Sequence, residues 1–207
     1  MKRALLIASS EFSTDSGIEP LRFPLNDINA MAKTLGSNDF GFKVQKVVNE
    51  PASTAMRAIE EGISGSDYDD LLLIYFSGHG KLNRARDLFL SCADTDATRI
   101  HSTAIGYKWI IDVIQDHSLQ KVAIILDCCY AGRAVAGSRG DTKGAIEEQV
   151  RAAVADPGSG IFFLGASGGN QTAEERDSQN ISLKVSRLAT PISMTMGASL
   201  RGISQPM

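Results

Sequence analysis

Several features are scarce in this chain of 207 residues, and each scarcity narrows what it can be. No dense run of Lys or Arg is present and the net charge is −3, so there is no electrostatic footprint for nucleic acid. No apolar stretch approaches the roughly 20 residues that span a bilayer. The start, Met1-Lys2-Arg3-Ala4-Leu5-Leu6-Ile7-Ala8, imitates a secretory signal. Its apolar part is too short for the roughly 7–15 residues a signal needs and reads better as a first strand. Neither nucleic acid nor a membrane is expected as a partner. Cysteine is limited to Cys92, Cys128 and Cys129. An odd count with two neighbours makes a poor disulfide framework and points to a reducing, cytoplasmic setting. Together with His79, His101 and His117 these cysteines show no paired zinc-site spacing. A Walker-type Gly-Lys-Ser/Thr is absent, and Gly78-His79-Gly80 runs on into Lys81-Leu82-Asn83 without a third glycine. That removes the nucleotide-loop reading.

What is present describes a soluble α/β domain. Hydrophobic residues make up 43% and charged residues 22%, an ordinary globular balance in a chain long enough to bury a substantial core. Five apolar, β-branched runs stand out: Ala4–Ala8, Phe42–Val48, Leu71–Phe76, Val122–Leu126 and Ile161–Leu164. The third and fourth are almost unbroken, as parallel strands covered on both faces require. Helical spacing lies between the runs. Leu25, Ile28, Ala32 and Leu35 share a face before Gly36; Ala52–Ile63 opens with Ser53-Thr54 as candidate caps; Ala104–Ile114 turns Ile110, Val113 and Ile114 inward. The alternation predicts an open, mainly parallel sheet flanked by helices on both faces, with right-handed crossovers. Two regions break the pattern. Gly132–Gly160 is glycine-rich and basic (Arg133, Arg139, Lys143, Arg151), with a short helix expected only over Lys143–Val154, and residues 176–207 hold no apolar period. The expected organisation is one domain over 1–175, containing a loop region at 133–159, followed by an irregular tail.

Two stretches carry the chemistry. Tyr75-Phe76-Ser77-Gly78-His79-Gly80 and Ile125-Leu126-Asp127-Cys128-Cys129-Tyr130-Ala131-Gly132 each follow a strand-like run, with His79 lying 50 residues before Cys129. A cysteine is a weak nucleophile as the thiol and needs a neighbouring imidazole to use its thiolate. Ligands gather beyond the carboxyl ends of strands in open α/β sheets, and neighbouring strands lie about 4.8 Å apart. If the two strands are adjacent, His79 and Cys129 meet there. Glycines bracket both, and glycine admits conformations closed to other residues and close approach of a substrate backbone. The amides of Gly80 and Cys129 become candidate oxyanion donors. Cys92 and Cys128 read as small buried hydrophobes, and His101 and His117 as surface residues.

At these residues the chain resembles the caspase-like cysteine peptidases, most closely metacaspases and bacterial caspase homologues. The upstream histidine at this distance is itself a caspase signature. Tyr75–Gly80 is similar to the family's Ser-Gly-His-Gly motif, and Asp127–Gly132 to its Asp-x-Cys-x-Ser-Gly motif, with Ala131 in place of the serine. Asn26-Asp27 resembles the family's helix start, and Ala166–Ala173 its segment after the fifth strand. The resemblance implies peptide hydrolysis through a thioacyl-enzyme, with Cys129 as nucleophile and His79 handling the proton. It also implies an acidic pocket for Arg or Lys built from Asp27, Ser77 and Asp127. Arg22 lies one residue out of register with the arginine of animal caspases and is not assigned to the pocket. Arg133, Arg139, Lys143 and Arg151 are candidate self-processing sites. Many metacaspases hold calcium; here Asp94 and Asp96 are present, but Ile100–Ala104 carries no acid pair, so no cofactor is expected. The expected partner is a peptide or protein substrate, with an activating protein or second subunit if the groove is completed from outside. Bacterial relatives act in defence or regulated cell death. Beyond Glu175 the family's last helix and strand are not evident, which keeps a second class open: a caspase-fold adaptor with little activity.

Overall fold

The computed structural model describes residues 1–117, 119, 121–130 and 161–165, the last five together with Cys129 and Tyr130 by backbone only. The expectations for Gly132–Gly160, for Ala166–Ala173 and for the tail from residue 176 lie outside the described residues.

The chain runs β1 (Lys2–Ala8), α1 (Pro24–Leu35), β2 (Lys43–Val48), α2 (Ala52–Ser64), β3 (Leu71–Leu82), β4 (Leu88–Ser91), α3 (Ile100–Thr103), β5 (Ala104–Gly106), α4 (Tyr107–Asp116), β6 (Val122–Tyr130) and β7 (Ile161–Gly165). Five strands form a parallel layer in the order β2-β1-β3-β6-β7. An antiparallel extension follows, β4 on β3 and β5 on β4. Gly80 pairs with Leu90 of β4 and with Tyr130 of β6. It therefore has a neighbour on each edge, so β4 occupies the β1 side of β3 beyond the end of β1.

Both faces of the sheet are covered, which explains the nearly continuous apolar runs. Leu72, Ile74 and Phe76 of β3 and Val122, Ile124 and Leu126 of β6 pack with Ile59 of α2 and Ile110 and Ile114 of α4. On the opposite face Leu73 and Tyr75, with Ala123 and Ile125, pack with Ile28, Met31 and Leu35 of α1. The mixed, mainly parallel α/β class expected from the sequence is the one observed.

Local expectations are corrected in four places. Leu25 is 42% exposed; the first turn of α1 buries Pro24 instead, whose fixed φ suits the first helical position. Ser53 and Thr54 lie inside α2 and do not cap it; Asp94 Oδ1 accepts from Ala52 N at 2.8 Å across the fold. Ala104–Gly106 is strand, because Ala104 and Ile105 supply the edge that Ser91 and Leu90 of β4 pair with, and α4 begins only at Tyr107. Finally, β3 does not stop at Phe76 nor β6 at Leu126; each supports the other's extension through the two motifs.

Candidate active site

The site arises where β1 stops and its neighbours continue. Ala8 is the last residue of β1 to pair with β3, opposite Ser77. Beyond that level β3 and β6 remain paired, Gly78 with Cys128, His79 with Cys129 and Gly80 with Tyr130. His79 thus lies within an extended strand and not at a strand's end, since the β3–β4 hairpin prolongs the sheet. His79 and Cys129 are Cα partners on adjacent strands. Strand alternation assigns the two neighbouring cysteines to opposite faces. Cys128 is 1% exposed and belongs to the core under α2 and α4; Cys129 falls on the α1 face, the face of Tyr75, Ser77 and His79.

The segment between β1 and α1 folds over the gap left by β1. Ser9 N donates to Ser77 O at 3.0 Å, continuing the strand's path. Phe12 packs against the His79 ring, centroids 5.5 Å apart. Glu19 O lies 2.8 Å from His79 Nε2. A carbonyl only accepts, so Nε2–H is the donor, which in the neutral form of the ring leaves the lone pair at Nδ1. The backbone of this segment therefore fixes the imidazole's tautomer and orientation. The segment is itself anchored by Asn49, whose Oδ1 accepts from Ser10 N at 2.8 Å, Ser10 Oγ at 3.1 Å and Glu11 N at 3.2 Å. Asn49 has φ +50°, a left-handed conformation that asparagine tolerates better than most residues. Neither Glu19 nor Asn49 carried a sequence signal: one acts through its backbone carbonyl, the other from a strand end far along the chain.

Beside the histidine, the three residues proposed for specificity come together. Ser77 is buried and its Oγ donates to Asp27 Oδ2 at 3.2 Å. Asp27 stands in the first turn of α1, where the helix dipole favours a carboxylate. Asp127 is the register partner of Ser77, and its Oδ2 accepts from Tyr75 Oη at 3.3 Å. Two carboxylates and two hydroxyls thus line one face, next to the histidine. Tyr75 is held protonated: burial, then the charges of Asp127 and Asp27, drive its hydroxyl far above the ordinary range. Tyr75 escaped sequence reasoning because it looks like one more apolar member of the Leu71–Phe76 run.

The glycines act differently from the expectation. Gly78 and Gly80 lie in regular strand; the positive-φ glycines among the described residues are Gly17 and Gly41. Gly78 is required by space. A Cβ there would stand 2.7 Å from Phe76 Cζ and 3.1 Å from Ser9 O.

Residues discussed for other roles are employed within the fold. Asp94 caps α2, and Asp96 accepts from Thr98 N at 2.8 Å, Thr98 Oγ1 at 2.7 Å and Arg99 Nε at 2.8 Å. The Thr98 hydrogen bonds and then Arg99 lower its pKa to about 2. Among the described residues no cluster of His, Cys, Asp or Glu could hold a metal ion. His101 packs edge-on against Phe89 at 4.8 Å, and His117 Nδ1 lies 2.9 Å from Val113 O at the end of α4. Arg22 is exposed. Cys92 is fully buried, and burial, then Asp94, pushes its thiol up to about 12, which makes it inert. No helix among the described residues is long and apolar enough to cross a membrane.

An open α/β sheet, helices on both faces, and a histidine and a cysteine at one register level past the end of the first strand define the structural class. The caspase-domain family matches residues 1–198, and the chain belongs to that family of cysteine-type peptidases. A search among curated proteins finds no match. The family match continues through residue 198, across most of the segment whose composition reads as irregular.

Proposed function

We propose that the protein is a cysteine endopeptidase that cleaves after Arg or Lys. The observation that carries this is the Cα register of His79 with Cys129, together with two carboxylates bonded on the same face at Asp27–Ser77 and Asp127–Tyr75. The mechanism follows from those positions. Cys129 Sγ attacks the carbonyl carbon as its proton passes to His79 Nδ1, the nitrogen left basic by the Nε2–H bond to Glu19 O. The amides of Gly80 and Cys129 expected to donate to the oxyanion stand within the paired β3–β6 ladder and must leave that pairing to do so; removing one such donor from an acyl-transfer site costs on the order of 3–4 kcal/mol. His79 returns the proton to the leaving amine, and water then hydrolyses the thioester. No cofactor takes part.

Specificity rests on charge. Asp27 and Asp127 present two carboxylates to one side chain, and such a partly dehydrated pair attracts a guanidinium or ammonium group strongly. An aspartate side chain would meet like charge. Basic residues Arg133, Arg139, Lys143 and Arg151 are the self-processing sites this specificity selects. A cytoplasmic role in bacterial defence or cell death, with a protein substrate and an activating protein or second subunit, follows from family resemblance alone.

The test is hydrolysis of fluorogenic peptides that differ only in Arg, Lys or Asp before the scissile bond. Wild type is expected to turn over the Arg and Lys peptides, with Cys129→Ala and His79→Ala reduced by about a thousandfold or more. Faster turnover of the Asp peptide overturns the specificity. Labelling of Cys129 by an electrophilic Arg peptide separates an enzyme from a silent adaptor of the same fold. Intact-mass analysis of wild type beside Cys129→Ala tests self-processing; an uncut active chain refutes it.

A further inference from the structure

The one polar-tipped residue in the Leu71–Phe76 run has a position that core packing does not explain. Tyr75 is 3% exposed with its ring among Leu73, Ile28 and Met31. A phenylalanine would fill that space equally well. Its hydroxyl instead leaves the core along the α1 face and reaches Asp127 Oδ2 at 3.3 Å. Asp127 pairs in register with Ser77, and Tyr75 with Ile125, so Tyr75 and Asp127 are diagonal neighbours across β3 and β6. A long side chain spans that diagonal.

We propose that Tyr75 is a positioning residue for substrate specificity: its hydroxyl holds the Asp127 carboxylate in place for the cation before the scissile bond, as the Ser77 hydroxyl holds Asp27. This rests on the pocket reading of Asp27, Ser77 and Asp127. The division of donors is the central point. Each carboxylate is tied to one hydroxyl of β3, Asp27 to Ser77 at 3.2 Å and Asp127 to Tyr75 at 3.3 Å. Each tie engages one oxygen, Oδ2 in both cases, and a carboxylate has two oxygens with about four acceptor sites. Asp127 can thus keep its hydroxyl partner while accepting from a guanidinium. Among the described residues the other titratable groups on this face include His79 of β3, Cys129 of β6, Lys46 of β2, whose Nζ donates to Asn29 Oδ1 of α1 at 3.0 Å, and Lys2 of β1, which lies over Phe42; the parts of β1 and α1 that pack beneath Tyr75, Leu6, Ala8, Ile28 and Met31, are apolar. Tyr75 stays a donor throughout the working range, because burial and the two carboxylates oppose its ionisation.

The experiment uses the full chain and its Tyr75→Phe variant, which keeps the ring and removes only the hydroxyl. Substrates are a matched pair of peptides with arginine or its neutral isostere citrulline before the bond. A rise of about tenfold in KM for the arginine peptide is expected, the lower end for losing a hydrogen bond to a charged group. The citrulline KM should stay put, and kcat should hold within about twofold. A second measurement, calorimetric binding of both peptides to Cys129→Ala with and without Tyr75→Phe, reads the same discrimination without turnover. Unchanged arginine KM and Kd in Tyr75→Phe, where Asp127→Asn weakens both, overturns the role of Tyr75 and leaves the pocket standing. Arginine preference that survives Asp27→Asn and Asp127→Asn overturns the pocket reading itself. A fall in kcat with constant KM shows that Tyr75 serves the dyad or the fold, and also overturns the proposal.

Discussion

Gly78 sits between the sheet's core and its catalytic edge, so adding one methyl group there should be felt in both. A Cβ at this position meets Phe76 Cζ at 2.7 Å, Phe76 Cε1 at 3.0 Å and Ser9 O at 3.1 Å. Carbon atoms prefer about 3.5–4.0 Å, so relief requires a movement of roughly 1 Å. Neither neighbour yields cheaply. Phe76 is fully buried in the α2/α4 core, and Ser9 is held by its backbone bond to Ser77. Overpacking of this kind costs about 1–3 kcal/mol. In a domain of this size each kcal/mol lowers Tm by roughly 2–4 °C, so Gly78→Ala should melt roughly 4–8 °C below wild type at the middle of that range. The strand's alternative response is to shift β3 itself. His79 is the next residue, so kcat/KM should then fall by about tenfold or more, since displacements near 1 Å are costly at a reacting centre.

Gly62 supplies the opposite sign from the same substitution. It lies within α2, and a Cβ there meets only Leu72 Cδ1 at 3.9 Å, ordinary contact. Alanine in a helix interior is favoured over glycine by roughly 0.5–1 kcal/mol, so Gly62→Ala should raise Tm by roughly 1–4 °C and leave activity alone. Thermal unfolding followed by circular dichroism, with peptide turnover on the same samples, decides the matter. A Gly78→Ala protein that melts with wild type and retains full activity would refute the steric account of this glycine.

The neighbouring cysteines should separate cleanly: Cys129→Ala abolishes turnover, while Cys128→Ala, on the opposite face, costs about 1 kcal/mol of stability and changes kcat/KM by less than about threefold. Cys92 makes an alkaline prediction. Its thiol is raised from 9.0 to about 12 in the fold, so the folded state retains a proton that the unfolded chain releases. Its contribution is therefore fully present below pH 9 and falls by about 1.4 kcal/mol per pH unit from there towards pH 12. Denaturant titrations of wild type and Cys92→Ala should differ by that slope, and equal slopes refute it. Asn49→Ala removes the acceptor for three donors and places alanine at φ +50°; a loss of about 1–3 kcal/mol is expected, with kcat falling because the segment bearing Glu19 loosens its hold on His79. Asp94→Ala removes the acceptor at the start of α2 and should cost about 1 kcal/mol with no change in kcat/KM or in chelator response.

How far the sequence discloses this molecule depends on which kind of group does the work. The parallel layer was legible because strands buried on both faces must be apolar at nearly every position, which leaves a continuous run. That same continuity hid Tyr75, whose hydroxyl is visible only once Asp127 is known to lie diagonally across from it. Strands of four and three residues, Leu88–Ser91 and Ala104–Gly106, are too short to establish a period, and their existence depends on the free edge of β3 past Ala8. Ser77-Gly78-His79-Gly80 looked like the close of a strand because glycine and polar residues punctuate most strands; here the glycine makes room for Phe76 and extended backbone continues.

The cysteine pair illustrates the opposite case. Adjacent residues in a strand must face opposite ways, so only one of Cys128 and Cys129 can share a face with the histidine. The motif resemblance selects Cys129, and the structure buries Cys128 in the core under α2 and α4. The backbone partner of the imidazole had no such handle. Every residue type carries this carbonyl, so what positions it is the path of the Ser9–Phe23 segment and not the side chain at Glu19. The side chain that fixes that path is Asn49, which combines three donors on one oxygen with a left-handed φ. Strain at such a residue persists only where its surroundings over-determine it. In this fold, what over-determines it is the segment that holds the histidine, so a costly conformation at the end of β2 becomes the support for the orientation of a ring on β3.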